Sequence, residues 1–527
     1  MNNWIDKAIF YHIYPLGFCG APLKNEGGEP VDRLKKVLEW LPHLKEMSVN
    51  AIYFGPVFES VSHGYDTNDY QKVDVRLGDN ASFKNICDTL HANGIRVVLD
   101  GVFNHVGRGF WAFLDVLKNK SASKYVSWFC NVNFSGNNCY NDNFSYEAWQ
   151  GHSELVKLNL SNPEVTNYLL DSVKLWIEEF GIDGLRLDAA DCVRDDFFRS
   201  LRSATKAIRP DFWLVGEIIH GDYRHWANEQ MLDSVTNYEC HKGIYSSHNE
   251  KNYFEIAYSL NRQFGTEALY RGIRLYNFVD NHDVNRLASM LKNKNHLKNV
   301  YTILYTMPGV PSIYYGSEWG ILGERDKTTD YSLRPCLDLG KIPAPNDELL
   351  EHIVKLGKLR LELSALQNGD YTQVQVKNEQ LIYRRANGTQ TVFIVLNLSE
   401  NSQTLDFKIN GTSLVDGISG KKIDAKNGGV SVNIGGFGSM ILTEENSTSP
   451  TNIQCEERTV IVGGKYHHFK GGDYVVTDIG RNSETLEEMV VYKEINGAKN
   501  TWIRPLKMFA EDVNDFGNIK QRFKLCE

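Results

Sequence analysis

The sequence lacks an excess of positive charge: 57 Lys and Arg stand against 66 Asp and Glu, a net charge of −9. A field of that sign repels phosphate backbones and anionic lipid, which excludes nucleic acid and membrane as principal partners and favours a neutral substrate. It also lacks an apolar run of the roughly 18 residues that a membrane helix needs. The best candidate, Thr391 to Leu398, has strand length and contains Asn397. The first fourteen residues carry Asp6 and Lys7 and lack the uninterrupted apolar segment of an export signal, so the expected location is cytoplasmic. Cysteine is sparse and unpatterned: nine residues, an odd number, with no CxxC pair. That usage points to reduced thiols, with Cys130 and Cys139 the pair that could bridge in an oxidising compartment. Internal repeats of solenoid period are absent as well.

What is present is an ordinary globular composition, 42% hydrophobic and 23% charged, in a chain of 527 residues. That length predicts one large domain with smaller ones attached. Aromatic residues reach 12%, including 26 Tyr and 10 Trp. Flat rings with polar tips stack on sugars, and they also build cores.

From residue 8 to 320, short apolar runs alternate with amphipathic helical stretches, the pattern of a parallel sheet with crossover helices. The strand candidates are Ala8 to Ile13, Asn50 to Phe54, Arg96 to Asp100, Gly184 to Asp188, Trp213 to Glu217, Ser234 to Asn237, Tyr276 to Asp280 and Pro311 to Tyr315. Eight such runs predict an α/β fold of the (β/α)8 TIM-barrel type, with a doubly wound sheet as the alternative. The Asn- and Ser-rich stretch from Asn131 to Ser145 is too polar for a crossover helix, so a small inserted domain is expected after the third strand. Beyond residue 365, short alternating strands with Asn and Gly turns predict an antiparallel β-sandwich. EENSTSPTN, from Glu444 to Asn452, has linker composition, and strand-like texture resumes after it. The expected division is a barrel at 1–365 with an insertion at about 106–160, a sandwich at 366–445, a linker at 446–455 and a small β-rich domain at 456–527.

Acidic residues at the carboxyl ends of buried parallel strands point to chemistry, because a barrel builds its site there and a buried charge is costly. Asp188 ends the strand in GLRLDAAD, Glu217 the one in WLVGEIIH, and Asp283 follows the one in FVDNHD. Two carboxyl groups about 5 to 5.5 Å apart split a glycosidic bond with retention, one as nucleophile and the other as acid and then base. Arg186, two residues before Asp188 and so on the same side of the strand, is expected to keep that carboxylate ionised. The acid calls for a proton affinity raised by partial burial and neighbouring carboxylates. His105 in DGVFNH and His282 in NHD could bond sugar hydroxyls or be structural. A zinc site lacks the short spacing of HExxH.

The segments DGVFNH, GLRLDAAD, GEIIH and FVDNHD, in that order, resemble the signature segments of the alpha-amylase family, glycoside hydrolase family 13. HGYDTNDY at 63–70, LVKLN at 155–159 and PGVPSIYYGSEWG at 308–320 are similar to its supporting segments, so the likeness spans about residues 8 to 445. The resemblance implies a barrel enzyme cleaving alpha-glucosidic bonds with retention. It implies Asp188 as nucleophile, Glu217 as acid/base and Asp283 as the transition-state-stabilising carboxylate. It implies Arg186, His105 and His282 around the attacked sugar, with Tyr65 as its stacking ring. Asp330 and Arg334 resemble the pair that grips the non-reducing end, the alternative being a surface ion pair. No organic cofactor is implied. No cofactor is expected to be required; of the family's calcium site only Asn104 matches a ligand and the others find no counterpart, the other reading being that Asn104 braces a loop.

The lysine of LVKLN and the stretch HVGRGFWAFLDVLKN look most like the neopullulanase, cyclomaltodextrinase and maltogenic amylase branch, which favours small maltodextrins. The branch's extra amino-terminal domain has no counterpart before Ala8, and Ile219 stands where the branch often has a Trp beside the acid/base. Asp191 and Cys192 replace the Lys and His of long-starch amylases. The expected function is a maltooligosaccharide hydrolase, with alternatives in a transglycosylase on the same sugars or a silent sugar-binding protein. The expected partner is a small oligosaccharide; oligomeric state is left open. The tail, with YHHFKGGDYVV and RNSETLEEMVVY, resembles a small bacterial domain family of unknown function; Trp502, Tyr474 and Tyr466 are its candidates for either a sugar face or a core.

Overall fold

In the computed structural model the eight apolar runs form one parallel sheet. Its strands are β1 (Phe10–Ile13), β2 (Ala51–Phe54), β3 (Arg96–Gly101), β4 (Gly184–Leu187), β5 (Trp213–Gly216), β6 (Ser234–Val235), β7 (Tyr276–Asn277) and β8 (Val310–Tyr314). Neighbours pair in the order β6-β5-β4-β3-β2-β1-β8-β7. The sheet closes where Thr236 bridges Tyr276 in parallel and the Asn237 N–H donates to the Tyr276 carbonyl at 2.9 Å. The architecture is therefore a (β/α)8 TIM barrel rather than a doubly wound sheet. The structure describes residues 4–445 except 267, 327 and 328, and residues 460–526 except 470, 484–487, 497, 498, 511, 516 and 517. They fall in two compact units, 1–447 and 448–527. No helix among the described residues is long and apolar enough to cross a membrane.

Alternation along the strands decides what the barrel lumen contains. Phe10, Tyr53, Val98, Trp213, Val215 and Tyr276 point inward and pack as one buried cluster. Their sequence neighbours Tyr11, Ile52, Leu99, Leu185 and Leu214 point outward into the larger core beneath the helices. The aromatic plug fills the lumen, so polar residues one step further along the same alternation, Asp100, Arg186 and Glu217, come to lie at its carboxyl end. The outer helix Pro163–Phe180 starts where the Asn162 side chain accepts from the Glu164 N–H, with Pro163 supplying a preset first turn. It stops at Gly181, whose φ of 69° suits glycine.

The segment after β3 makes a ribbon pairing His105–Gly107 with Leu155–Lys157, plus a helix, Trp111–Asn119. Its Asn-rich part folds through side chain to backbone bonds, as when Asn133 Oδ1 accepts from the Ser135 N–H and Asn138 Oδ1 from the Tyr140 N–H, both at 2.9 Å. Phe113, Phe129 and Phe144 hold it on a small buried core.

After the barrel, Asp370–Val376, Gln380–Ala386, Thr391–Asn397, Ser439–Glu445, Ser413–Asp416 and Lys422–Asp424 form an antiparallel sheet in that spatial order. A ribbon of Gln403–Lys408 and Gly429–Ile434 shares its core through Phe393, Leu405, Phe407 and Val432. The second unit is a five-stranded antiparallel sheet around Tyr466, Val476, Val490, Tyr492, Phe509 and Phe523. Tyr466 is buried there and belongs to the core, Tyr474 is half-buried, and Trp502 lies exposed on the edge strand Thr501–Pro505. The eight cysteines among the described residues, including Cys130 and Cys139, are unbridged.

Candidate active site

Arg186 is the centre of the polar layer above the aromatic plug. Its Nη1 donates to both oxygens of Asp100, at 2.9 and 3.1 Å, and to Asp188 Oδ1 at 3.0 Å. Its Nη2 lies 3.0 Å from Glu217 Oε2. One guanidinium thus holds three carboxyl groups from three adjacent strands. The turn after β4 contributes too: Ala189 adopts a left-handed φ of 42°, a conformation costly for a residue with a side chain, and its N–H donates to Glu217 Oε2 at 3.1 Å. Glu217 Oε1 accepts from the Tyr238 hydroxyl at 3.4 Å, and that hydroxyl accepts from Asn281 Nδ2 at 3.2 Å.

Burial raises the Asp188 carboxyl well above the ordinary carboxylate range; Arg186 opposes this, while Glu217, Asp100 and Asp283 add to it. Arg186 thus acts on Asp188 in the expected direction, against burial and the neighbouring carboxylates.

On the opposite wall, Asp283 Oδ2 lies 2.9 Å from His282 Nε2, and Asp283 Oδ1 accepts from Arg334 Nη2 at 3.1 Å. Burial works to raise this carboxyl, but His282 and Arg334 outweigh it and hold it well below its usual range. Arg334 Nη2 also reaches Asp330 Oδ2 at 3.2 Å, and its Nε donates to the His282 carbonyl at 3.0 Å. The guanidinium lies over the Tyr14 ring, 4.5 Å from its centroid. Arg334 is therefore built into the site, not part of a surface ion pair. Tyr65 joins the two walls, with its hydroxyl 3.0 Å from Asp100 Oδ2 and 2.5 Å from His282 Nε2.

The structure thus brings Asp188, Glu217, Asp283, Arg186, His282, Tyr65, Arg334 and Asp330 into one connected network. His105 stands apart from it. Its ring is buried and stacks on Trp149 of the inserted segment, centroids 5.4 Å apart, and burial lowers its pKa to about 4. Asn104 Nδ2 lies 3.3 Å from His105 Nδ1, which leaves the proton on Nε2, and the backbone of Tyr65 also acts on the ring. Among the described residues no group of His, Cys, Asp or Glu side chains is arranged to hold a metal ion, and Asn104 is buried with its Nδ2 against His105.

Sequence reasoning missed Asp100, Tyr238, Tyr14 and Trp149. Asp100 could have been found from the inward alternation of β3 after Val98. The others sit on loops or helix starts, where periodicity carries no signal.

A closed barrel with carboxyl groups gathered at its carboxyl end is the architecture of a barrel hydrolase, and comparison with known proteins identifies the kind. Residues 12–338 match the alpha amylase catalytic domain, 371–441 the maltogenic amylase C-terminal domain, and 464–525 a protein family of unknown function, DUF1653. The chain is 35% identical to a maltogenic alpha-amylase of Bacillus acidopullulyticus over 76% of its own length and 71% of that protein. It is 31% identical to a cyclomaltodextrinase of Geobacillus thermopakistaniensis over 84% of its length and 78% of that protein. Among solved structures, the cyclic alpha-maltosyl-(1→6)-maltose hydrolase of Arthrobacter globiformis superposes with a TM-score of 0.72 at 28% identity, covering 84% of this chain and 99% of that one. The chain belongs to the alpha-amylase family of glycoside hydrolases.

Proposed function

We propose that this protein hydrolyses alpha-glucosidic bonds of small maltooligosaccharides with retention of configuration. The observation that carries the reading is the joint hold of Arg186 on Asp188 and Glu217, with Asp283 on the facing wall. In the first step Glu217 gives its proton to the departing glycosidic oxygen as Asp188 attacks the anomeric carbon; the bond to the leaving sugar breaks and an ester to Asp188 forms. In the second, water attacks the same carbon, Glu217 takes its proton, and the ester opens to release the sugar and restore the carboxylate. Asp283 and His282 would bind hydroxyls of the attacked sugar, Tyr65 would stack on it, His105 would donate to it, and Arg334 with Asp330 would flank its non-reducing end.

The relatives named above are a maltogenic amylase, a cyclomaltodextrinase and a cyclic maltosyl-maltose hydrolase, which supports short substrates. Ile219, 47% exposed just beyond Glu217, offers an aliphatic surface in place of a ring, which weakens acceptor-sugar binding and favours water over transglycosylation. Product analysis over time on maltotriose, panose, a cyclodextrin and soluble starch, with Glu217→Gln as blank, tests the reading. Short sugars should be cleaved fastest, with the product anomer retained by NMR. Products longer than maltotriose from pure maltotriose would indicate a transglycosylase, and no cleavage of any substrate would overturn the proposal.

A further inference from the structure

The barrel's opposite end holds a second charged cleft, which the proposed reaction does not use. Arg274 lies just ahead of β7 and Gly309 just ahead of β8, so the cleft sits where the parallel strands begin. The strand Asp370–Val376 of the following sheet supplies its other wall. The cavity measures about 60 Å³. At roughly 10–15 Å³ per enclosed water it has room for about four to six waters, or for one tetrahedral oxyanion of five heavy atoms.

Its lining is cationic: Arg271, Arg274 and Arg385 against the single carboxylate of Asp370. Arg274 is already matched, its Nε 2.5 Å from Asp6 Oδ1. Arg385 is not. It is 1% exposed, and its Nε and Nη2 donate to the Gly369 carbonyl while Nη1 donates to that of Thr306. A guanidinium has five N–H groups, so these bonds leave donors for a ligand. Behind it, the buried Arg360 also bonds only to carbonyls, those of Tyr305, Leu366 and Gly309. Burial lowers Arg385 to about 9 and Arg360 to about 10, and the charge of Arg360 adds to the lowering of Arg385. Carbonyls satisfy hydrogen bonds without neutralising charge; Asp370 acts on Arg385 and Asp6 on Arg360 only at longer range, so among the described residues Arg385 lines the cavity without an ion-pair partner. At its mouth Arg271 is exposed, and the backbone of Gly272 has φ +88° with open space where a Cβ would stand.

We propose that this cleft binds an oxyanion of the phosphate class, either inorganic phosphate or the phosphate group of a phosphorylated sugar. The bound anion would neutralise Arg385 and share its charge with Arg271.

The test is calorimetric titration of the full chain with inorganic phosphate, paired with thermal unfolding in phosphate and in chloride at equal ionic strength. The expected result is saturable one-to-one binding and a Tm that climbs with the logarithm of phosphate but not of chloride. Arg271→Ala should weaken binding at least tenfold. Titration with a hexose monophosphate separates the two sources: tighter binding than inorganic phosphate assigns the sugar phosphate, and equal or weaker binding assigns the free ion. Equal Tm shifts in phosphate and chloride, or no binding heat from the unmutated protein, would overturn the proposal, and neither result depends on a variant folding.

Discussion

Tyr65 and His282 lie 217 positions apart in the chain, yet the Tyr65 hydroxyl sits 2.5 Å from His282 Nε2 and their rings are near parallel, 9° apart. The same hydroxyl reaches Asp100, the partner of Arg186, so this one side chain couples the two walls of the site. Tyr65→Phe keeps the ring and removes the coupling. We expect kcat/KM on maltotriose to fall about 10-fold to 100-fold, from the loss of bonds each worth about 1–3 kcal/mol to charged or buried partners. Unchanged kinetics would mean that the hydroxyl has no part in positioning.

Asp188→Asn and Glu217→Gln should each lower turnover by about three decades or more, because each removes a bond-making or proton-transferring group. Azide should restore part of the activity of Asp188→Ala with inverted product, since a small anion can enter the vacated space. Near-normal rates in either amide variant would sink the assignment.

Asp283 must be ionised to serve, and Arg334 is one of the three groups, with His282 and Arg186, that hold its carboxyl low. In Arg334→Met the proton affinity of Asp283 should rise, moving the acid limb of the kcat/KM profile upward by about 1 pH unit or more. An acid limb that stays in place would show that Asp283 does not set it.

Six buried histidines have pKa values lowered by burial: His105, His241 and His352 to about 4, His248 to about 3, and His12 and His296 in the same direction. Their unfolded counterparts titrate near 6.5, so between about pH 6.5 and 4 the unfolded chain binds protons that the native one refuses. Stability is therefore complete above pH 6.5 and lost as pH falls, each histidine adding a slope of about 1.4 kcal/mol per pH unit. His352 bonds Thr302 Oγ1 at 2.9 Å, which glutamine can imitate. Urea unfolding of His352→Gln from pH 4.5 to 7 should show a slope shallower by one proton; an unaltered slope would contradict the assignment.

Gly107 tests the route by which the inserted segment supports the site. A Cβ there would stand 2.4 Å from the Asp66 carbonyl oxygen, so the backbone next to Tyr65 would have to move. Gly107→Ala should lower the Tm and raise KM, with intact KM at lowered Tm showing that the strain does not reach Tyr65.

The barrel was legible because its cause is local. Eight apolar runs of strand length separated by helical periodicity can bury themselves in few ways, and closure follows from their number. Asp188 and Glu217 were legible for the same reason: each directly follows an apolar strand, Leu187 or Gly216, and so emerges at its carboxyl end. Tyr238 and Trp149 were not, since neither lies on a periodic element that fixes its direction.

The sequence by itself determined which residues carry acid, base and cation, and through strand alternation it determined that Arg186 and Asp188 share a side. Only the tertiary structure decided how their charges balance. Bringing Asp100, Asp188 and Glu217 from three strands onto one guanidinium, above an aromatic plug, sets burial and neighbouring carboxylates against a single cation at Asp188. The same long-range assembly left Arg385 and Arg360 buried beside carbonyls alone at the other end of the barrel. Spacing along a chain sets which groups are available, and the distances and dielectric of the folded interior set which of them hold their protons.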